Sequence, residues 1–171
     1  MQKLTEVIYL TASDLVGHLN CHHLTELDLG VAAGLLEKPK SWDPLLEILR
    51  ERGRRHEAAF VQQLREQGLS AIEIGGVDIT PDAVARTRQA MAGGQEIIIQ
   101  GALQQGRWSG RADILRRVEK ESAFGAWSYE IIDTKLARET KGGTVLQLCL
   151  YADLLGEAQG VAPEYVYVVA P

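Results

Sequence analysis

The chain has 171 residues, 46% of them apolar and 24% charged, with a formal net charge of −5. That length suffices for one domain with a real core, and the composition excludes disordered, collagenous and low-complexity classes. No apolar run nears the ~20 residues of a membrane-spanning helix, so no membrane partner is expected. The opening MQKLTEVIYLTASDL lacks the long apolar stretch of a secretory signal, which points to an intracellular, cytoplasmic protein. The acidic balance argues mildly against a polyanionic partner, since neutralising phosphates drives much of nucleic-acid affinity. Positive charge is nevertheless grouped, at Arg50–Arg55, at Arg107, Arg111, Arg116 and Arg117, and at Lys135, Arg138 and Lys141. Each group reads equally as a solvated face.

In chain order, Ser13 or Asp14 caps a short helix over LVGHLN, and HHLTELDLGVAAGLL continues as a second. Pro39 breaks that pattern. A long helix starts at Asp43-Pro44, with Pro44 at its first position and Gly68 beyond its end. Leu45, Leu46, Ile48, Leu49, His56, Ala59, Phe60 and Leu64 follow the three-and-four spacing of one buried stripe. AIEIG reads as a short strand, and Pro81 opens a helix that stops at Gly93-Gly94. Residues 96–103, 107–119 and 127–136 read as three meandering strands. A helix from Thr144 to about Leu155 follows, with Leu146, Cys149, Leu150 and Leu154 on its apolar side, and EYVYVVAP is a last strand. The pattern predicts a mixed sheet flanked by helices, an α/β (α+β) domain spanning 1–171, with a helical region over 1–43 and a core over 44–171. The strand ending at Pro171 is read as a sign of a domain trimmed from a longer protein.

Two acidic residues stand out. If 111–119 and 127–135 form an antiparallel hairpin, the loop KESAFGA sets 119 against 127 and Asp113 against Asp133. Directly opposed residues hold their Cβ atoms ~5 Å apart on one face. Carboxylates that close repel unless a cation lies between them or one takes a proton. Such oxygen ligands suit Mg²⁺. Lys135 points to the same side ~6–7 Å further along, where an ammonium can orient water or stabilise charge on a phosphoryl group. The Thr134 carbonyl lies between them as a further ligand. Taken alone, an Asp-x-Lys triplet is as readily part of a solvated charge ladder.

His56 occupies the apolar stripe of the long helix, either as a satisfied core residue or as a metal ligand aimed at the two aspartates. Glu57 is a candidate outer ligand or a solvated side chain, and Gly53 would let the helix approach another backbone closely. Gln147 and Tyr151 share a helix face four residues apart and could reach a base and a phosphate. Of the two cysteines, Cys149 falls in an apolar run and is expected in the core, and both are expected as thiols.

Together these residues resemble the RecB-like branch of the PD-(D/E)XK nucleases. Gly53-Arg54-Arg55-His56, Gly110-Arg111-Ala112-Asp113, Asp133-Thr134-Lys135 and Gln147 to Tyr151 follow the order of that branch's four motifs, over about residues 44–171. The front end, SDLVGHLNCHHLTELDL, resembles predicted RecB-type nucleases in which a cysteine placed like Cys21 helps hold a [4Fe–4S] cluster. The other three cluster cysteines have no counterpart here. The resemblance implies a restriction-endonuclease-like αβββαβ core. It implies Mg²⁺ or Mn²⁺ held by His56, Asp113, Asp133 and Thr134, with Lys135 positioning the nucleophilic water. Gln147 and Tyr151 would contact DNA near the cut, joined by Arg111, Arg138 and Lys141. The implied activity is metal-dependent DNA cleavage on single strands or ends, in repair, recombination or defence, with a helicase domain or subunit as partner. The competing expectation is a catalytically inactive DNA-binding module of a helicase–nuclease assembly. A small-molecule metallohydrolase ranks last, since no enclosed substrate pocket is evident.

Overall fold

Strand runs and helix caps in the sequence become elements close to where they are expected. The computed structural model describes residues 1–4, 7–39, 43–76 and 78–171. Strands β1 (Gln2–Leu4) and β2 (Val7–Tyr9) form a small antiparallel ladder, and helices α1 (Ala12–Asn20) and α2 (His22–Ala32) follow. Thr11 precedes α1, and the Asp14 carboxylate accepts both its N–H and its hydroxyl at 2.8 Å. The N-terminal region is therefore not wholly helical as the sequence reading had it. Leu10 bridges to Trp108, adding a short rung to the main sheet.

Helix α3 (Pro44–Glu66) is capped by Asp43, whose side chain accepts from the Leu45 N–H at 2.9 Å. Helix α4 (Pro81–Ala92) begins with Thr80 as cap and Pro81 in its first turn, a preorganised start. Between and after them run β3 (Ala71–Glu73), β4 (Ile97–Gln105), β5 (Trp108–Val118) and β6 (Ser128–Thr134), then α5 (Gly142–Gln159) and β7 (Val166–Val169). The main sheet has the order β3-β4-β5-β6-β7. Its centre is an antiparallel meander, and each outer strand runs parallel to its neighbour. This is a mixed sheet flanked by helices, an α+β fold. Among the described residues no helix is long and apolar enough to cross a membrane.

Each face of the sheet has its own core. On one, Ile98, Leu115, Tyr129 and Ile131 pack against Met91 of α4 and Leu148, Leu154 and Leu155 of α5. On the other, Ile97, Ile99, Ile114 and Ile132 pack against Val61 and Leu64 of α3. A fully buried side chain of this size contributes roughly 1.5–3 kcal/mol. Gln159 pins the end of α5 to β6. It accepts from the Tyr129 N–H at 2.8 Å and donates to the Tyr129 and Val161 carbonyls at 3.2 and 2.9 Å.

Four expectations need correction. The stripe on α3 is buried only in its second half, and Leu45, Leu46, Ile48 and Leu49 are exposed because no other described element covers the first turns. Cys149 is exposed, not core. Helix α5 is apolar on several sides, and of the four residues expected on its apolar face only Leu154 is buried, beside Leu148, Tyr151 and Leu155. At Gly53 an added Cβ would meet open space, so no close approach requires that glycine.

Candidate active site

The β5–β6 ladder pairs Val118 with Ser128 through Ile114 with Ile132 and stops one rung short of Asp113 and Asp133. This is the register expected from the hairpin loop. Past that end the Asp113 carboxylate turns to the neighbouring strand. Its Oδ2 accepts from the Thr134 N–H at 2.8 Å and from the Thr134 hydroxyl at 3.0 Å. Thr134 thus enters the site through its N–H and hydroxyl, which hold Asp113. The carboxyls of Asp113 and Asp133 lie within hydrogen-bonding reach of each other.

Asp133 is fully buried. Its Oδ1 accepts from Lys135 Nζ at 2.8 Å and from Gln147 Nε2 at 3.3 Å. Its Oδ2 lies 2.6 Å from Lys135 Nζ, yet the approach is off-angle and the atom has no hydrogen-bond partner. The contact is one of charge and leaves a lone pair unsatisfied, since proximity alone does not make a hydrogen bond. Burial raises the Asp133 carboxyl above the ordinary aspartate range. Lys135 opposes that shift and Asp113 adds to it.

Helix α5 completes one wall. Gln147 Nε2 also lies 3.4 Å from the Tyr151 hydroxyl, so one amide links Asp133 to the phenol. Burial pushes the Tyr151 hydroxyl pKa up. Gly110 is what lets Tyr151 sit there, because a Cβ on it would fall 2.3 Å from the Tyr151 Cε1 atom. An open groove of about 510 Å³ runs on between α1 and α5, lined by Thr11, Ser13, Asn20, Lys141, Gln147 and Tyr151. Arg138 and Lys141 are exposed on the segment joining β6 to α5.

Two of the expected residues are engaged with backbone carbonyls. His56 Nε2 is 3.1 Å from the Val169 carbonyl, which also accepts the Lys135 N–H at 3.0 Å. The ring approaches from α3, and among the described residues no three His, Cys, Asp or Glu side chains converge as a metal group. Arg111 is tied to backbone. Its Nη1 donates to the Ile74 and Gln100 carbonyls at 2.9 and 2.7 Å and its Nη2 to the Asp78 carbonyl at 2.8 Å, so in this arrangement it braces loops and does not face a ligand.

One residue beside the pair escaped the sequence reading. Gln100 breaks the apolar run IIIQGAL, the one signal that marked it, and donates from Nε2 to Glu57 Oε1 at 2.6 Å. Glu57 is half-buried. Burial raises its carboxyl, as do the charges of Asp113, Glu73 and Asp133, while Gln100 opposes the shift.

The site's donor set fits a hard divalent cation. It offers two neighbouring carboxyls and a buried carboxylate oxygen that meets the Lys135 ammonium but accepts no hydrogen bond. It does not fit an iron–sulfur cluster. Four thiolates are needed, and this chain supplies Cys21 and Cys149, both free and exposed. Compared with family models, with curated proteins and with solved structures, the chain finds no match.

Proposed function

We propose that the chain is a deoxyribonuclease dependent on Mg²⁺ or Mn²⁺, hydrolysing phosphodiester bonds in single strands or at DNA ends. The observation that carries this reading is the buried Asp133 carboxylate, opposed by Asp113 and left with one oxygen lacking a hydrogen bond. Asp113 and Asp133 would hold the metal. When bound, such an ion supplies a hydroxide at neutral pH and offsets charge on the scissile phosphate. Thr134 fixes the Asp113 carboxylate through two hydrogen bonds, so that ligand is preoriented. Lys135, 29% exposed at its side chain, reaches both Asp133 and solvent and orients the attacking water. Gln147 keeps Asp133 and Tyr151 in register, and the groove beyond them takes the strand, with Lys141 and Arg138 toward its phosphates. His56 joins the ligands only by releasing the Val169 carbonyl.

The test is incubation with end-labelled single-stranded and duplex DNA in Mg²⁺ or Mn²⁺. Cleavage by the parent, its loss in Asp133→Asn and its loss in Lys135→Ala with Mn²⁺ binding retained by calorimetry are expected. The engagement of His56 with the Val169 carbonyl favours a second reading: a module that binds DNA without cutting it. DNA binding without cleavage by the parent selects that reading. Neither binding nor cleavage overturns both.

A further inference from the structure

Gln100 is the one non-glycine residue among those described with a positive φ, at 56°. Left-handed backbone is disfavoured for a residue with a side chain and persists only where its surroundings hold it. Here it falls in the middle of β4. Ile99 pairs with Ile114 and Gly101 with Ala112, and the rung between them, Gln100 with Asp113, is missing from the ladder.

The two strands change sides at that rung. Before it on β4, Ile97 and Ile99 face α3 while Ile98 faces α4 and α5. Strict alternation would then send Gly101 toward α3. Instead a Cβ on Gly101 would meet Leu115 and Thr87, both in the opposite core. On β5, Gly110 backs Tyr151 and Ala112 lies in that same core, yet Ile114, of the same parity, lies in the α3 core. The reversal in both strands centres on Gln100 and Asp113. It frees the Asp113 carboxylate from a ladder position and lets it reach Thr134 on the next strand.

We propose that Gln100 is a positioning residue: its left-handed backbone reverses the β4–β5 pair and thereby aims Asp113 at Thr134 and Asp133. Two clamps hold it. Arg111 takes its carbonyl and Glu57 takes its side-chain amide. The placement of Asp113 follows from the fold, while its value for cleavage rests on the metal-dependent function proposed above.

The experiment measures amide exchange at Thr134, whose N–H is bound by Asp113, in the metal-free protein by NMR, with the Leu115 amide as reference. Gln100→Gly accepts the same φ without strain, so Thr134 exchange stays within about threefold of the parent relative to Leu115. Gln100→Val penalises a positive φ most strongly, and exchange at Thr134 accelerates by about tenfold or more while Leu115 is unaffected. Gln100→Ala, which keeps the fold if the valine variant does not, drops only the Glu57 anchor and gives an intermediate acceleration. Thr134 protection unchanged in valine and alanine variants, or lost equally in the glycine variant, overturns the proposal. Mn²⁺ titration of the same samples separates the two ideas. The expected loss of Thr134 protection with no Mn²⁺ binding by the parent leaves the positioning intact and removes the metal-dependent reading.

Discussion

Replacing Asp133 by Asn removes a charge that folding makes costly. The parent side chain is fully buried, and two full charges ~4 Å apart at an effective dielectric constant of ~20 repel by roughly 4 kcal/mol. The attraction to Lys135 is of similar size and opposite sign, and Lys135 can turn to solvent once its partner is neutral. What remains is the desolvation of the carboxylate, which the amide avoids. The new NH₂ also replaces the oxygen that lacks a partner and can donate to Asp113. Asp133→Asn is therefore expected to be more stable than the parent at neutral pH, by on the order of 1 kcal/mol, a rise of about 2–4 °C in Tm for a chain this long. The pH dependence fixes the cause. Burial, and then Asp113, raise the Asp133 carboxyl above its ordinary range. An acid raised on folding contributes its stability below its unfolded pKa and loses it as pH rises through the folded value. The gap between variant and parent should thus be small near the ordinary aspartate pKa and widen toward neutrality. Scanning calorimetry across that range reads it directly. Mn²⁺ at about one hundred times its Kd should stabilise the parent by about 2.7 kcal/mol and leave the variant unmoved. A variant less stable than the parent at every pH, or one that gains as much from Mn²⁺, would refute the reasoning.

Gly110→Ala drives a methyl into the Tyr151 ring, and urea unfolding should show a loss of about 1–3 kcal/mol. An unchanged midpoint would mean that Tyr151 does not lie on β5. Gln159→Ala strands the Tyr129 N–H and carbonyl and the Val161 carbonyl. At about 1–3 kcal/mol for each buried group left without a partner, a loss of about 3 kcal/mol or more is expected in the same measurement, and a loss below about 1 would contradict the contacts. Cys149→Ser should change stability by no more than about 0.5 kcal/mol, with two thiols of the native parent titrating in Ellman's reagent. A thiol that reacts only after denaturation would put Cys149 back in the core.

The hairpin register was legible because it follows from a two-residue period and a counted loop: KESAFGA sets Val118 against Ser128 and Ile114 against Ile132, one rung from the two aspartates. The helix starts at Asp43-Pro44 and Pro81 were legible because proline acts locally, whereas α1 begins earlier than read, with Thr11 at its cap in place of Ser13 or Asp14. Helix faces were harder. Leu146, Leu148, Cys149 and Leu150 are apolar on more than one side of α5, and nothing in their spacing says which side meets the sheet. Gly53 and Gly110 look alike in sequence, but only Gly110 has a ring against it. The turn at Gln100 was hidden because a backbone angle leaves no periodic mark, and it decides where Asp113 goes. Arg111, read as a phosphate contact, donates to the Ile74 and Asp78 carbonyls in the irregular segment after β3 and to the Gln100 carbonyl in β4.

The uncovered first turns of α3 have a consequence of their own. There the helix is sustained by charge pairs along its surface, Arg50 to Glu47 and Arg54 and Arg55 to Glu51, each worth only a few tenths of a kcal/mol. Further along, Val61 and Leu64 lock it to the sheet. One continuous rod thus has a rooted end and a self-supporting end, and raising the ionic strength should loosen the second while leaving the first in place. His56 lies between the two, so the mobility of the outer half sets how readily its ring leaves the Val169 carbonyl.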